Sequence, residues 1–587
     1  MSTTDKNLSP VEHIKIASNY LRGTIADGLA DELTASIAED DTQLTKFYGF
    51  YQQDDRDLRA ERKTSKLEPH YQFMLRLRLP AGVVTGEQYL EIDRLADEYA
   101  NGTLRLTTRQ TFQYHHVAKK HLRPLLQDAY AIGIDARGAC GDVNRNVMAS
   151  AFPEKSAVHA ALHDWSTKLS EHLAWKSRAY EEIFLQQQAT GEADHEPIYG
   201  TTYLPRKFKI AIAVPPENDV DLFANDIGLI GIVDNDELVG FNVAIGGGMG
   251  TTHGEPATYP RLGSVIGFAP LDKVLETVET LVTIQRDYGD RENRKHARFK
   301  YTIDDHGIGF IHEQLAERAN LHLDPARDYH FERNGDPIGW FVDDDGKHHV
   351  TLFIENGRIA DFDDNGRAHH GQYMGPANYK LRTGLREIAK IHKGTIRLTG
   401  NHNVVVSGIE PADVDAIAEI VSHYGIDDGS TERNSALRHA SMSCVAFPTC
   451  GLAMAESERY LPDLVGKIET LMQEAGLGDE RIVVRMTGCP NGCARPFLGE
   501  IAFVGKAPGK YNMYLGAAFD GSRLNKLYRE TIGEDEILAE LAPMIERWAA
   551  EREPNEHFGD FVVRVGIIAA TREGRDFHDD VGPAEAA

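Results

Sequence analysis

The chain has 587 residues, more than one hydrophobic core can organise, so we expect several domains. Its net charge is −27, from 63 Lys and Arg against 90 Asp and Glu, which argues against nucleic acid as the main partner. The apolar fraction of 41% is typical of globular proteins, and no apolar run approaches the roughly 20 residues of a membrane span. The N-terminus lacks the pattern of an export signal, so we expect a cytoplasmic protein. Five cysteines are too few for a disulfide scaffold.

The middle of the chain repeats itself. GTLRLTTRQTFQYHHV begins at Gly102 and GTIRLTGNHNVVVSGI begins at Gly394, an offset of 292 residues. A helical segment precedes each copy, EQYLEIDRLADEYA or RTGLREIAKIH, and a strand-like run precedes each helix, at Tyr71 and at His348. This order of strand, helix and strand predicts a small ferredoxin-like βαβ unit in each half of the chain.

A larger unit follows each small one. SAFP at Ser150 matches VAFP at Val445, and NDIGLIGIV at Asn225 resembles GEIAFVGK at Gly499. Because these matches keep their order along the chain, they indicate a duplication rather than chance. We therefore predict an α+β fold in which one module, a ferredoxin-like unit plus a larger α+β unit, occurs twice around a central site.

The repeat predicts the domain boundaries, and the composition of the ends completes them. The expected parts are an N-terminal helical and extended segment 1–66, half-domain 67–140, α+β domain 141–345, half-domain 346–430, α+β domain 431–571 and a flexible polar tail 572–587. Within the first α+β domain we predict helices over Ser156–Ala174 and Asp272–Gln285.

Four of the five cysteines, Cys444, Cys450, Cys489 and Cys493, lie within 50 residues in the pattern C-x5-C, 38 residues, C-x3-C. Isolated buried thiols would not cluster in this way. Zinc sites mostly space their paired ligands by two to four residues, so C-x5-C fits zinc poorly. Iron–sulfur clusters accept irregular spacing, and Gly-rich turns such as TGCPNGC let backbone N–H groups point at sulfur. The spacing favours an iron–sulfur cluster and leaves a zinc-stabilised binding protein without a redox role as the alternative.

The first copy has no cysteines at the matching positions but carries basic residues in semi-apolar, strand-like stretches. These residues are Arg76, Arg78, Arg105, Arg109, Arg145, Arg206, Lys207 and Lys209. A cation in such a stretch is costly unless it meets an anion. For any one of them a surface position is the simpler interpretation, but the set predicts an anionic cofactor or substrate in an interior cavity.

These motifs together resemble the sirohaem- and 4Fe-4S-containing sulfite and nitrite reductases. The resemblance rests on the cysteine pattern with TGCPNGC, on LPRKFK and on NRNV, and it runs from about residue 45 to residue 570. KFYGFYQQDDRDLRAERKTSKLEPHY, GFNVAIGGGMG, HVTLFIENGRI and FGDFVVRVGI belong to it as well.

The resemblance implies specific roles for named residues. It implies that the four cysteines bind a 4Fe-4S cluster and that Cys493 is also the axial ligand of sirohaem. The implied sirohaem contacts are Arg105, Thr107, Arg109, Gln113, Arg206 and Asn491, with Gly246, Gly247 and Gly248 letting the backbone approach the macrocycle. The implied sulfite-binding and proton-delivering residues are Arg76, Arg145, Lys207 and Lys209.

The activity that the resemblance implies is the six-electron reduction of sulfite to sulfide. The sequence has no flavin- or NADP-binding fingerprint. The resemblance therefore implies that electrons come from a flavoprotein subunit that carries FMN and FAD and binds NADPH. A ferredoxin-dependent reductase of sulfite or nitrite is the alternative. Thr108, Ala494 and Cys140 depart from the family pattern, and we predict that Cys140 is an inert thiol.

Overall fold

The computed structural model describes residues 7–188, 194–430 and 434–583. Sixteen helices and 22 strands are assigned in these ranges. Among the described helices, none combines the length and the apolar character that a membrane crossing requires.

The helices and strands of residues 7–342 are as follows, in chain order: α1 (Pro10–Ala17), α2 (Ile25–Ala30), α3 (Asp41–Leu44), β1 (Phe50–Asp54), α4 (Arg59–Thr64), β2 (Tyr71–Arg76), β3 (Val83–Thr85), α5 (Gly86–Tyr99), β4 (Leu104–Leu106), β5 (Phe112–Val117), α6 (Leu122–Ala131), β6 (Met148–Ala149), α7 (Ser156–His172), α8 (Ala179–Ile183), β7 (Ile210–Ala213), β8 (Ile227–Asp234), β9 (Glu237–Ile245), β10 (Ser264–Pro270), α9 (Val274–Tyr288), α10 (Phe299–Ala319) and β11 (Gly339–Val342).

The remaining elements continue from residue 348: β12 (His348–Leu352), β13 (Arg358–Ile359), β14 (Arg367–Ala368), β15 (Tyr373–Met374), α11 (Leu381–Ile391), β16 (Thr395–Leu398), β17 (Val404–Ile409), α12 (Val414–His423), α13 (Ala436–His439), β18 (Ser441–Ser443), α14 (Leu461–Glu474), β19 (Val484–Thr487), β20 (Ile501–Ala507), β21 (Lys510–Leu515), β22 (Lys526–Ile532), α15 (Glu534–Glu551) and α16 (Phe558–Arg564).

The two larger sheets have the same topology, which confirms the predicted duplication. One sheet has the order β6-β7-β8-β9-β10 and the other the order β18-β19-β20-β21-β22. In both, the first three strands are parallel and the last two pair antiparallel. The matched sequence stretches at Asn225 and Gly499 lead into the equivalent third strands β8 and β20.

The two ferredoxin-like units exchange strands with each other. Each unit has the split βαβ arrangement, in which the strands before and after the helix flank a third strand: β2, β5 and β4 in the first, β12, β17 and β16 in the second. Strand β3 of the first copy pairs with β16 of the second, while β13 of the second copy pairs with β4 of the first. Neither half-domain therefore completes its sheet without the other.

Helix α5, which lies between β3 and β4, has an N-terminal cap and an apolar face that its sequence determines. Helix α5 starts with a capping box, in which Thr85 Oγ1 accepts from the backbone N–H of Gln88 and the Gln88 side chain accepts from the N–H of Thr85. Its apolar face is buried and meets α11, the equivalent helix of the second copy. The pseudo-twofold contact between α5 and α11 brings the two modules together.

The predicted helices in the first α+β domain are confirmed with shifted ends. Helix α7 ends at His172 instead of Ala174, and α9 spans Val274–Tyr288 instead of Asp272–Gln285. The apolar stripe of α7, including Trp165 and Leu169, is buried as expected. The core of the second α+β domain forms its own cluster of buried residues, whereas one continuous core joins the first module to the second half-domain.

The described tail residues 572–583 pack against the second α+β domain, and their predicted flexibility stays a prediction. Phe577 is 2% exposed, and its ring lies 5.0 Å from that of Phe497 and 5.9 Å from that of Tyr514. Lys526 Nζ donates to the carbonyls of Asp576 and Asp579 at 3.0 and 2.7 Å. One aromatic side chain and one buried lysine thus anchor a segment of polar composition. Residues 584–587 lie outside the described residues.

Two buried aspartates carry opposite pKa shifts, which leads to a testable contrast. Burial, with the charges of Asp336 and Glu217 nearby, raises the pKa of Asp219 to about 7. Burial also opposes ionisation of Asp142, but Arg294 and Lys15 outweigh it and hold the pKa of Asp142 well below its usual range. Asp142 receives two hydrogen bonds from Arg294, at 2.9 and 3.1 Å.

We expect Asp219→Asn to stabilise the protein at pH 8. The raised pKa means that the protonated carboxyl contributes stability below about pH 4 and that this contribution is lost as the pH rises through about 7. Asparagine stays neutral, so the gain above pH 7 should approach about 4 kcal/mol and shrink towards pH 4. Denaturant unfolding at pH 5 and pH 8 measures it.

Asp142→Asn is the matched control with the opposite sign. It leaves Arg294 without its carboxylate partner and removes the more distant of the two carboxylates near Lys15, which keeps Glu12 at 2.5 Å. The change should cost about 3–5 kcal/mol at both pH values. Equal stabilities of Asp219→Asn and the parent at pH 8 would contradict the assigned shift.

Candidate functional site

The four clustered cysteines lie on two loops that follow adjacent parallel strands. Cys444 directly follows β18, and Cys450 lies in the next turn; Cys489 and Cys493 follow β19. Strands β18 and β19 pair in parallel, so both loops leave the same edge of the sheet. This explains how the two cysteine pairs, 38 residues apart in sequence, come together.

Backbone and amide N–H groups of these loops point at the sulfur atoms. The N–H of Gly488 donates to Cys444 Sγ at 3.3 Å, and Asn491 Nδ2 donates to Cys489 Sγ at 3.5 Å. The backbone carbonyl of Cys493 accepts from Thr108 Oγ1 of the first copy at 3.0 Å. The N–H of Gly488 and the amide of Asn491, which donate to sulfur, stabilise negative charge there, as thiolate ligands require.

Burial and the charges of neighbouring cysteines raise the pKa values of the clustered thiols. Burial raises the pKa of Cys444 to about 12, and the neighbouring Cys493 and Cys489 add to the shift. Burial also raises the pKa of Cys450 and of Cys489 to about 12, again with other cysteines of the group contributing. Free thiolates are therefore disfavoured here, and a positive metal centre is the kind of group that would stabilise them.

The spacing of the sulfur atoms differs from that of a single-ion site. In residues 7–188, 194–430 and 434–583, no three Cys, His, Asp or Glu side chains are grouped so that they could hold one metal ion. A zinc ion needs its ligands within about 2.3 Å of one point. A 4Fe-4S cluster takes one thiolate at each iron, so its ligands need not converge on a single point.

Three basic side chains near the cysteine loops have no close ion-pair partner in the described part of the chain, although Asp142 and Asp226 act on Arg206 and Lys209 from farther away. Arg206, Lys207 and Lys209 make no side-chain hydrogen bond or ion pair with any described residue. Burial and the charges of Arg206 and Arg298 lower the pKa of Lys207 to about 7. Burial and the charge of Lys207 hold the pKa of Lys209 well below its usual range. An anion in this space would relieve the repulsion.

One cleft joins two of these cations, Arg206 and Lys207, to the cysteine loop. It encloses about 650 Å³ of empty space, part of it open to solvent, and Arg206, Lys207 and Asn491 line it. Asn491 lies between Cys489 and Cys493, and Cys493 itself is exposed. The unpaired cations of the first copy and the cysteine loop of the second copy therefore share one site.

Arg76 and Arg145 lie next to each other on the first copy. Arg76 ends β2, and its Nε donates to Gln113 Oε1 at 2.9 Å in the amide orientation that hydrogen bonding requires. Arg76 Nη1 lies 3.3 Å from Cys140 Sγ. Arg145 Nε donates to the carbonyl of Gly141 at 2.8 Å. The structure thus brings three predicted site residues, Arg76, Gln113 and Arg145, together and places Cys140 beside Arg76.

Arg105 has partners that the sequence did not indicate. Its Nε donates to Glu458 at 3.0 Å, its Nη2 donates to the carbonyl of Ser443 at 2.9 Å, and its Nη1 donates to the carbonyl of Leu106. All three nitrogens therefore bind protein, and Arg105 holds the loop of Cys444. Its contact with sirohaem stays a prediction, which these bonds do not favour.

Arg109 and Thr107 form part of the same turn. Arg109 Nη1 donates to Asn225 Oδ1 at 2.5 Å, and its Nη2 donates to the carbonyl of Ile210 at 2.8 Å. Its Nε is buried without a partner among the described residues, and Thr107 Oγ1 accepts from the N–H of Arg109. Burial and the charge of Arg495 lower the pKa of Arg109 to about 9. An anion near Nε would offset both effects.

Protein atoms crowd the glycine run. A Cβ at Gly247 would lie 2.1 Å from the carbonyl oxygen of Phe223, and one at Gly246 would lie 2.8 Å from Arg261 Nη1. Gly248 would bring its Cβ within 3.1 Å of Arg298 Nη2. Backbone atoms alone therefore exclude a side chain at Gly247, whereas at Gly246 and Gly248 neighbouring side chains would have to shift. The contact of these glycines with a macrocycle stays a prediction.

Sequence reasoning missed several buried charges around the site. Lys300 Nζ donates to the carbonyls of Gly248 and Gly250 at 3.2 and 2.8 Å and fixes the glycine run. Asp226 pairs with Arg298 at 2.9 Å and also accepts from the N–H of Lys209 at 2.9 Å. Nothing in the local sequence marks these residues, because their partners lie far away along the chain.

Two models of one protein family match this chain. The family model described as "Nitrite/Sulfite reductase ferredoxin-like half domain" matches residues 66–132 and 342–424. The model described as "Nitrite and sulphite reductase 4Fe-4S domain" matches residues 164–323. The sulfite reductase (NADPH) hemoprotein beta-component of Staphylococcus carnosus (strain TM300) is 54% identical over 575 residues, which cover 97% of this chain and 98% of that protein. The chain belongs to the nitrite and sulfite reductase family.

Other relatives agree with this membership. The beta-component of Bacillus subtilis (strain 168) is 53% identical over 582 residues, which cover 99% of both chains. The structure of the Mycobacterium tuberculosis NirA protein matches the fold with a TM-score of 0.76 at 23% identity, covering 96% of this chain and 97% of that one. The match to residues 164–323 falls on the copy without cysteines, so the ligand role of the four family cysteines rests on other observations.

The residues present fit the two cofactors of the resemblance. Sirohaem carries several carboxylates, and the cleft is lined by Arg206 and Lys207, which form no ion pair among the described residues. The unpaired Lys209 follows Lys207 by two residues, and the buried Nε of Arg109 also lacks a partner in the described ranges. The cysteine loops offer four soft sulfur ligands with N–H groups directed at two of them. Both the charge and the donor type match an anionic macrocycle next to an iron–sulfur cluster.

Proposed function

We propose that this chain is the catalytic component of an assimilatory sulfite reductase, which reduces sulfite to sulfide by six electrons. The observation that carries the proposal is the cleft in which the unpaired cations of the first copy face the cysteine loop of the second. Identity above 50% to sulfite reductase beta-components over nearly the whole chain supports the same reaction.

In this proposal Cys444, Cys450, Cys489 and Cys493 would hold a 4Fe-4S cluster, and Cys493 would also hold the iron of sirohaem. When bound, the two groups supply electrons to the substrate. The chain contributes the loops after β18 and β19, which hold the ligands at the edge of one sheet. Arg206, Arg109 and Asn491 would bind the carboxylates of the macrocycle.

Arg76, Arg145, Lys207 and Lys209 bind the sulfite oxygens and exchange protons with them. Each of the three oxygens leaves as water and takes two protons on the way. Lys207 suits proton delivery because its pKa of about 7 lets it release and regain a proton near neutral pH. Arg76 is held by Gln113, and Arg145 by the carbonyls of Gly141 and Ala139, which keeps both guanidinium groups directed for binding.

The printed name of the relatives, beta-component, indicates a partner component for those proteins. We propose that this chain likewise receives electrons from a flavoprotein that carries FMN and FAD and binds NADPH. A ferredoxin donor, or nitrite as the preferred substrate, is the second candidate within the family.

Turnover with reduced methyl viologen tests the reaction without the partner. We expect about six oxidised viologen radicals for each sulfide formed. NADPH alone should give no turnover, and a flavoprotein partner should restore it. A chain that binds zinc, is colourless and forms no sulfide would support the zinc-stabilised alternative instead.

A further inference from the structure

Arg495 lies six residues before the third strand of the second large sheet, and Asp221 lies six residues before the third strand of the first. Each directly precedes a 3₁₀ turn, and both have the left-handed backbone conformation, with φ of 51° and 46°. The two residues therefore occupy equivalent positions in the duplicated modules. They form an ion pair with each other, in which Arg495 Nε donates to Asp221 Oδ2.

The same guanidinium also joins the two half-domains. Arg495 Nη1 donates to the carbonyl of Thr108 at 3.1 Å, and Nη2 donates to the carbonyl of Gly400 at 2.8 Å. The offset of 292 residues that relates the repeats also relates Thr108 to Gly400. Arg495 thus contacts equivalent turns of both half-domains, close to the pseudo-twofold axis.

The contacts of Arg495 extend through Thr108 to Cys493, the proposed axial ligand. Arg495 lies two residues after Cys493, and Thr108, whose carbonyl Arg495 binds, donates its hydroxyl to the carbonyl of Cys493 at 3.0 Å. Arg485 supports the arrangement by donating to Asp221 Oδ2 at 3.1 Å. A non-glycine residue with positive φ is strained, and strain of this kind persists only where the surroundings hold it. The ion pair and the carbonyl contacts keep Arg495 and Asp221 in this strained conformation.

We propose that Arg495 is the positioning residue that couples both half-domains to the loop of Cys493 and sets the geometry of the axial ligand. The inference rests on the proposed function, since it concerns the role of Cys493. Arg495 is only 6% exposed and does not line the cleft of Lys207, so it should affect the ligand geometry and leave sulfite binding unchanged.

The test compares Arg495→Gln and Arg495→Lys with Arg523→Gln. Arg523 also donates to two backbone carbonyls and one aspartate, but within the second module alone. Each holoprotein is examined by iron content, haem absorption, electron paramagnetic resonance and methyl viologen turnover.

We expect Arg495→Gln to retain cofactor but to show an altered haem spectrum and a kcat at least about tenfold lower with an unchanged KM for sulfite. Arg495→Lys, which keeps the charge but not the forked geometry, should lie between Arg495→Gln and the parent. Arg523→Gln should match the parent in spectrum and turnover.

Parental spectra and turnover in both Arg495 variants would overturn the inference. So would failure of both Arg495 variants to fold while Arg523→Gln folds, because that result marks a purely structural residue. Absence of haem and cluster from the parent itself would refute the proposed function instead.

Discussion

Replacement of Cys444, Cys450 or Cys489 by serine is expected to abolish the 4Fe-4S cluster. Serine offers a hard oxygen where a soft thiolate is required. The loss should also lower the free energy of unfolding, because a bound cofactor stabilises the native state. Iron and labile sulfide analysis of the purified variants measures the effect, and full content in any of them would remove that residue from the ligand set.

Cys493→Ser is expected to differ from these three, because Cys493 is proposed to touch both cofactors. The Cys493→Ser protein should therefore have an altered haem spectrum as well as an altered cluster. Cys140→Ser is the matched control, since it removes the one cysteine outside the group, whose sulfur lies beside Arg76. If Cys140→Ser lost haem while Cys493→Ser kept the parental spectrum, the assignment of the axial ligand would be wrong.

Lys209→Ala and Arg145→Ala are expected to lose most sulfite turnover while keeping both cofactors. A dianion in a desolvated cleft needs several cations around it, since one charge cannot satisfy three oxygens. Loss of one charge-assisted contact should weaken the transition state by about 1.5–3 kcal/mol, roughly ten- to a hundredfold in rate.

The measurement uses reduced methyl viologen, so that impaired partner docking is not mistaken for impaired chemistry. Lys390→Ala is the control, because Lys390 is a surface residue that pairs with Glu387 at 2.7 Å. Parental turnover in Lys209→Ala with full cofactor content would exclude Lys209 from the substrate site.

The duplication and the cysteine group were predictable because each leaves a local signal. Repeated strand and helix patterns at Gly102 and Gly394 mark the modules. The spacing of four cysteines predicts a ligand set, and the parallel pairing of β18 and β19 explains why both pairs lie at one edge of the sheet. The basic residues in semi-apolar stretches, Lys207 and Lys209 among them, predicted an anionic ligand in an interior cavity.

Contacts between distant segments were not predictable in the same way. Strands β3 and β13, which exchange between the half-domains, have only three and two residues and carry no readable period. Phe577 sits in a polar tail, and its packing against Phe497 depends on the whole fold. The glycines at 246–248 suggested a cofactor contact, whereas the backbone of Phe223 is what excludes a side chain at Gly247.

The central claim is that one chain carries a sirohaem joined to a 4Fe-4S cluster through Cys493. Metal analysis combined with the absorption spectrum of the purified chain tests it most directly. The account predicts about five iron atoms and about four labile sulfides per chain, together with intense haem absorption bands. A colourless protein that contains zinc and no iron would contradict it.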